Sequence, residues 1–550
     1  MMNWPKEIIA SSIGNDNLRE LARCGGVTAA YGVPREFFAM AAKALKGAGQ
    51  PGGLAGQLAV LDGWRLAAEW ATDETPFGRG FAVFAAYNSG TEYVIVKSDL
   101  PQDDPSFPSL AGIFTPALRF ERQIQSLMGV SPEAHPDLRP WIKHEDWPWD
   151  VYPLRKSFDG KTPLKKVPGG DYPWARADGE GVYEIPVGPV HAGIIEPGHF
   201  RFQAVGEDII NLEEKLGYVH KGIEKRFESL GWIFGARLAA RVSGDSTVAH
   251  SIAFSMAVEA ASMVAPAQRA LWMRAVMLER ERIANHLGDI GAICNDTAFA
   301  FLHHQFSILR EKVLRANQRF FGHRLMMDRV LPGGAAVDMD KDASEEMLKE
   351  IVWLSKEFEK LVVIYEDNPS LEDRVWGAGV LSPSVAKELG TVGFVARASG
   401  QALDARVQNP FAPYDRIVPK VPVLTSGDVH ARAWVRVEEV RESMRLIREM
   451  LQDIPRGRLC VPCPAPRPGA EGFSAVEGWR GEIIYWVQAG PLSSTAGPLS
   501  STDAGINRCM VRDPSSVNWL ALEEAILGNI VPDFPLCNKS FNQSYSGHDL

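Results

Sequence analysis

The chain is predicted to be an α+β protein: an N-terminal α/β domain over residues 1–164, a linker over 165–180, and a mostly helical domain with a β-rich start over 181–550. Three observations carry this. β-type segments cluster early, at Gly80-Phe-Ala-Val-Phe-Ala-Ala-Tyr and Thr91-Glu-Tyr-Val-Ile-Val, around the turn-forming Asn88-Ser-Gly. The run Lys165-Lys-Val-Pro-Gly-Gly-Asp-Tyr-Pro resists regular structure and marks a boundary. Beyond it the apolar spacing turns helical over long stretches. A chain of 550 residues, 45% of them hydrophobic, is large enough for more than one core, and two or three domains are expected.

Residues 1 to about 60 mix helix-like patches with breaks such as Gly47-Ala-Gly-Gln-Pro-Gly-Gly. Gly63 to Val96 reads as an antiparallel sheet. The large domain opens at Ile185-Pro-Val-Gly-Pro-Val-His191, and helices are predicted over Ile209 to Leu230, Val248 to Val264, Ala267 to Ile293, Phe306 to Arg324 and Ser344 to Tyr365. Near the end, Glu482-Ile-Ile-Tyr-Trp-Val is strand-like. After it Ala489-Gly-Pro-Leu-Ser-Ser-Thr repeats at once from Ala496, a duplication over 489–502 with too little apolar area to offset its ordering entropy, expected to be a mobile surface loop.

Composition excludes several functions. A net charge of −10 without a long Lys/Arg cluster argues against nucleic-acid binding and direct adhesion to anionic lipid. The start, Met1-Met-Asn-Trp-Pro-Lys-Glu-Ile, lacks the basic and apolar parts of a signal peptide, and no apolar run is long enough to span a bilayer. The chain is therefore expected on the cytoplasmic side, reaching a membrane only through partners. Six cysteines are too few for a disulfide framework, so reduced thiols are expected. Cys460-Val-Pro-Cys463 lacks a second pair and reads as surface thiols, while Cys24, Cys294 and Cys509 read as packed small residues. No Gly-rich phosphate loop follows a strand, so no NAD or ATP site is expected and electrons must come from elsewhere.

Two sets of motifs carry a family resemblance. Phe120-Glu-Arg-Gln-Ile-Gln-Ser-Leu-Met-Gly129, His135-Pro-Asp-Leu-Arg139 and Tyr152-Pro-Leu-Arg-Lys156 resemble the 30 kDa subunit of complex I, with Gln123 and Ser126 standing where that signature has Glu and Asp. From Ile185 to Leu550 the chain resembles the large subunit of membrane-bound, group 4 nickel-iron hydrogenases. That match rests on Gly188-Pro-Val-His191, Glu196-Pro-Gly-His-Phe-Arg, Leu216-Gly-Tyr-Val-His-Lys-Gly-Ile-Glu224, Arg241-Val-Ser-Gly-Asp-Ser-Thr-Val-Ala-His250 and Glu279-Arg-Glu-Arg-Ile-Ala-Asn-His286. It continues through Arg397-Ala-Ser-Gly, Asp404-Ala-Arg, Gly427-Asp, Arg512-Asp-Pro-Ser and Asp533-Phe-Pro-Leu. The fused arrangement is similar to formate hydrogenlyase and hydrogenase-4 large subunits. The resemblance implies an iron-sulfur small subunit and membrane-embedded, ion-translocating subunits as partners, and a peripheral place on the cytoplasmic face of the inner membrane.

The family frame reads Arg-x-Cys-Gly-x-Cys-x-x-x-His at one end and Asp-Pro-Cys-x-x-Cys-Thr-Asp at the other, and its cysteines hold nickel and iron. Here Ser243, Ser246, Ser544 and Gly547 stand at those positions. Hydroxyls barely ionised at neutral pH and a residue without a side chain do not replace soft thiolates, so no metal is expected. The chain ends soon after this frame, which fits a protein with no maturation step. A working hydrogenase would instead carry nickel.

The related 49 kDa subunit of complex I lacks the same cysteines and binds a quinone headgroup between a loop His and a Tyr after the first motif's Arg. His191 takes the loop position, and Gly244 or a neighbour falls where the Tyr would be. The quinone-pocket candidates are His191, Ser243, Gly244, Asp245, Ser246 and His250, with His191 as the catalytic candidate; an imidazole near neutral pKa can donate to a quinone oxygen and supply a proton. His191 could equally be a satisfied core histidine, and His250 one that orders its helix. No cofactor is expected on this chain itself; a quinone and a partner's iron-sulfur cluster are implied. Glu279, Arg282 and His286, spaced three and four, share one helix face. The bland reading is a solvated face, the functional one a buried row relaying protons or strain. If the pocket is empty, the whole chain could instead be a redox-inactive structural subunit that couples a redox module to a membrane module.

Overall fold

Runs without polar alternation build the first sheet. The computed structural model describes residues 4–22, 24–48, 63–143, 146–161, 163–191, 195–491 and 504–550. The N-terminal domain runs α1 (Trp4–Ile13), β1 (Arg19–Glu20), β2 (Ala29–Gly32), α2 (Phe38–Gly47), β3 (Arg65–Asp73), β4 (Phe81–Asn88), β5 (Tyr93–Leu100), β6 (Ser106–Pro108), α3 (Ala117–Met128) and β7 (Ser131–Glu133). Five strands form a sheet in the order β1-β2-β5-β4-β3. β3, β4 and β5 are antiparallel as expected from Gly63 to Val96, and β2 adds to β5 in parallel. All of β4 is buried because both faces are covered. Val83, Ala85 and Tyr87 pack into the core with α1, α2 and α3. Ala82, Phe84 and Ala86 face the other way.

The large domain opens with a three-stranded sheet, β8 (Val182–Val187), β9 (His199–Val205) and β10 (Asp208–Lys215). It continues through α4 (Ile223–Phe227), α5 (Trp232–Ala239), α6 (Thr247–Ser262), α7 (Gln268–Asp296), α8 (Ala300–Phe321), β11 (Val330–Leu331), β12 (Gly334–Ala335) and α9 (Lys341–Glu366). Then come α10 (Pro369–Val375), α11 (Pro383–Glu388), α12 (Gly393–Ala398), α13 (Ala405–Gln408), α14 (Val429–Asp453), β13 (Glu471–Glu477), β14 (Glu482–Ala489), β15 (Ile506–Arg512), α15 (Ser515–Ala525), α16 (Phe534–Phe541) and α17 (Tyr545–Asp549). α7 lies between α8 and α14, and α9 packs on both of those neighbours. Asp340 and Asp428 accept from Ala343 N and Ala431 N and so cap α9 and α14.

β13, β14 and β15 form an antiparallel sheet that packs face to face on the free side of the N-terminal sheet. Trp486 sits against Trp70 and Phe84, at 5.4 and 5.0 Å between ring centroids. This apolar seam is why neither β4 nor β14 alternates apolar and polar residues.

Four expected helices fall on α6, α7, α8 and α9, but the expectation of a helix over Ile209 to Leu230 is corrected. Residues Asp208–Lys215 pair with β9 instead, burying Ile209 and Leu212. Gly217 (φ +97°) and Gly222 (φ +65°) then turn the chain before the short α4. The segment's local preference is weak, and cross-strand pairing overrides it. Residues 165–180 have neither helix nor strand. They are tied down: Arg122 Nη2 donates to the Tyr172 hydroxyl (2.8 Å), Arg139 Nη1 to Pro173 O (2.9 Å), and Ala175 N to Glu213 of β10 (2.8 Å). Residues 492–502 of the tandem repeat lie outside the described residues. Among the described residues no helix is long and apolar enough to cross a membrane.

Candidate functional site

The two motifs meet although 301 residues separate Ser243 from Ser544. Ser243 precedes a short turn, Gly244–Ser246, that leads into α6, while Ser544 caps α17 by accepting from Gly547 N. Their hydroxyl oxygens are 2.9 Å apart, and the Ser243 hydroxyl also donates to Asp245 (2.8 Å). Arg480 clamps Asp245 through both terminal nitrogens, at 2.8 and 2.6 Å. The same guanidinium donates to Asn542 O (2.6 Å), approaches the Ser246 hydroxyl (3.4 Å) and stacks over Trp479. Burial raises the Asp245 carboxyl, but the Arg480 charge and hydrogen bonds outweigh it and hold the group below its ordinary value.

Gly547 has no room for a side chain. A Cβ there would lie 2.6 Å from the Asp513 carboxyl. Asp513 accepts from Ser515 N (2.8 Å) and meets His250 Nε2 at 3.1 Å; His250 Nδ1 meets the Tyr485 hydroxyl at 3.0 Å. Burial opposes ionisation of Asp513, yet the His250 bond and the Arg480 charge bring it down to about 2. His250 therefore lies one layer behind the serines, on the start of α6. The four ligand positions thus present three hydroxyls and a filled gap. Among the described residues no group of three His, Cys, Asp or Glu side chains is arranged to hold a metal ion. Hard oxygens already engaged in hydrogen bonds do not fit a nickel-iron centre.

His191 sits on the loop after β8. Gly188 has φ +91°, and a side chain there would run into the Gly198 carbonyl, so only glycine permits this close pairing of the loop's two arms. His191 Nε2 lies 3.4 Å from the Tyr545 hydroxyl, and its ring packs edge-on against Phe200. Partial burial lowers the imidazole, which is neutral at pH 7. Tyr545 is buried against Trp519, and burial pushes its phenol up, so it keeps its proton. Gly244 faces open space and offers nothing to a ligand but backbone. No tyrosine follows the first motif, but Tyr545 from the other end of the chain lies beside His191. Sequence reading missed it, although Tyr545 stands next to Ser544 in a motif already matched. The C-terminal turn that carries it is held by Asp549, which accepts from Gly217 N (2.9 Å) and Val219 N (3.0 Å).

The reading of Glu279, Arg282 and His286 as a solvated face is corrected: all three are fully buried. α14 covers that face of α7. Glu279 accepts from the Tyr414 hydroxyl (2.5 Å), the Ser443 hydroxyl (2.6 Å), Arg406 (3.0 Å) and Arg282 (3.4 Å). Burial raises its carboxyl, and Arg406 with Arg282 brings it below the ordinary value. His286 Nε2 is 2.8 Å from Glu439, which also binds Arg397. Burial keeps this imidazole neutral, so Nε2 carries the proton it donates to the Glu439 carboxylate. One turn on, Asp289 binds Arg436 (3.0 Å) and accepts from Asn542 (2.7 Å), beside the carbonyl that Arg480 holds. The buried row ends at the motif cluster.

Comparison with known proteins agrees with this architecture. The family model of the respiratory-chain NADH dehydrogenase 30 Kd subunit matches residues 38–163, and that of the 49 Kd subunit matches residues 289–472. Formate hydrogenlyase subunit 5 of Escherichia coli K12 is 31% identical over 494 residues, covering 88% of this chain and 85% of that protein. This chain belongs to that family. In the family, hydrogenase-4 component G of the same bacterium is also 31% identical, over 89% of this chain and 84% of the relative. The C/D fusion protein of the NADH-quinone oxidoreductase of Phocaeicola vulgatus is 31% identical over 73% of this chain and 81% of its own length. The relatives are oxidoreductase subunits, and this chain carries the 30 and 49 kDa modules fused in that order. A chain of the archaeal membrane-bound sulfane sulfur reductase, a respiratory membrane complex, shares the fold at a TM-score of 0.61 and 24% identity, over 68% of this chain and 99% of its own.

Proposed function

We propose that this chain is the electron-transfer subunit of a membrane-bound, energy-converting oxidoreductase related to hydrogenase-4 and NADH-quinone oxidoreductase, and that it works without a nickel-iron centre. Support for the second part is chemical and steric together: no sulfur donor at Ser243, Ser246, Ser544 or Gly547, and the Asp513 carboxyl in the space a side chain at 547 would need. The subunit sits on the cytoplasmic face, held there by membrane-embedded, ion-translocating partners, and a small partner subunit brings an iron-sulfur cluster to the cluster of motifs.

The acceptor is quinone-like, and the observation that carries this is the 3.4 Å pair of His191 and Tyr545. Two electrons from the partner's cluster and two protons convert a quinone to a quinol. A neutral imidazole and a protonated phenol each have one N–H or O–H to donate to a carbonyl oxygen as it gains negative charge. Glu279, Arg282 and His286 then carry the change in charge away from the site, since buried charges in contact couple strongly. A second reading has its own support: Ser243, Ser544 and Asp245 are satisfied by one another and by Arg480, as in a coupling subunit that binds no acceptor.

Reconstitution of the complex with quinone tests the proposal. Saturable quinone binding and reduction are expected, with reduction lowered at least about tenfold in His191→Ala and in Tyr545→Phe; absence of binding and reduction in the intact complex would leave only the coupling role. Stoichiometric nickel in the purified protein would overturn the metal-free reading.

A further inference from the structure

On the side of the large domain formed by α9, α10 and α14, three rings pack near-parallel to His430: Trp376 (4.7 Å, 26°), Trp434 (5.9 Å, 17°) and Tyr365 (6.3 Å, 29°). They line a cavity of about 200 Å³ whose rim carries the exposed carboxylates of Glu366 and Glu372. Neither carboxylate has an ion-pair partner among the described residues, and Arg374, two residues after Glu372, is engaged by Asp533 (3.2 Å). Glu366 is also the last residue of the 26-residue α9, where the helix dipole adds negative potential. Burial keeps His430 below its ordinary value despite Asp428, Glu372 and Glu366 nearby, and its Nδ1 has no partner.

Aromatic faces carry negative electrostatic potential, and with two uncompensated carboxylates at the mouth they favour one kind of ligand. We propose that this pocket binds an organic monocation, an ammonium or guanidinium group seated among Trp376, His430, Trp434 and Tyr365 and neutralised by Glu366 and Glu372. An anion would face the two carboxylates, and a neutral apolar group would leave them uncompensated. The cation is either a Lys or Arg side chain of a neighbouring subunit or a free quaternary amine. Nothing in this site depends on the proposed redox function.

Calorimetric titration of the full chain with choline, n-butylammonium and methylguanidinium, and with 3,3-dimethylbutanol as the uncharged isostere of choline, tests it. At least one cation is expected to bind saturably, more weakly as salt rises, while the alcohol does not bind. Preference for n-butylammonium or methylguanidinium identifies a partner's side chain; preference for choline identifies a free amine. Trp376 is 56% exposed, so Trp376→Ala leaves the fold intact and weakens binding roughly tenfold; Glu372→Gln weakens it several-fold. No saturable cation binding, equal binding of the alcohol, or unchanged affinity in Trp376→Ala would each overturn the proposal.

Discussion

Replacing Glu279 by Gln keeps the shape of the side chain and removes its charge, stranding Arg282 and Arg406 in an interior where both are fully buried. Arg406 retains Asp404 (2.6 Å), but the Glu279 carboxylate now shared by two arginines, Tyr414 and Ser443 is gone. Breaking one partner out of a buried ionic network costs about 3–5 kcal/mol, because the remaining charge is uncompensated. Unfolding entropy of about 2.1 cal/mol/K per residue over the roughly 370 residues of the large domain is ~0.8 kcal/mol/K, so the thermal midpoint falls by about 4–6 °C. The pH dependence has a definite sign. Glu279 titrates below its ordinary value in the folded protein, so its contribution is full above the unfolded carboxylate range and is lost as pH falls through the folded value. The difference between wild type and Glu279→Gln is therefore largest at neutral pH and shrinks in acid. Scanning calorimetry of both proteins from neutral to acidic pH checks this. A midpoint within about 1 °C of wild type at neutral pH, or a gap that widens in acid, would show that the arginines are satisfied without Glu279.

Other outcomes follow from the same contacts. Gly547→Ala forces a methyl against Asp513 and destabilises by about 1–3 kcal/mol in urea unfolding, as overpacking does. Asp513 itself, folded at about 2 against about 3.9 unfolded, contributes about 2–3 kcal/mol that is present above about pH 4 and lost as pH falls toward 2, so Asp513→Asn and wild type converge in acid. Trp486→Ala opens the seam between the two sheets and costs about 3–5 kcal/mol, with earlier proteolytic cleavage between the domains as the readout. In the reconstituted complex, Tyr545→Phe removes the hydroxyl facing His191 while keeping the ring against Trp519; quinone reduction falls at least about tenfold with unchanged thermal midpoint, and unchanged turnover would place the acceptor elsewhere.

Long, strongly periodic segments are legible in the sequence. The helices α6 to α9 and strand β14 lie where apolar spacing places them, because each has a wide face to bury and length enough to define its period. The segment over β10 misleads for the opposite reason: its eight residues have little intrinsic preference, and β9 decides their conformation by pairing. The same limit applies to Glu279, Arg282 and His286. Their spacing fixes a common helix face, but only the packing of α14 determines whether water or Glu439, Arg406 and Ser443 meet it.

At the candidate site residue order alone supplies the inventory: two motif frames, serines and a glycine in place of cysteines, a histidine on a Gly-Pro loop. Which of these groups meet is a tertiary fact. Ser243 finds Ser544, Asp513 fills the space at Gly547, and Tyr545 reaches His191, contacts that sequence separation does not encode. Side-chain chemistry is written residue by residue, whereas hydrogen bonds, desolvation and the pKa values they set depend on separations of a few ångströms that exist only once distant parts of the chain have packed together.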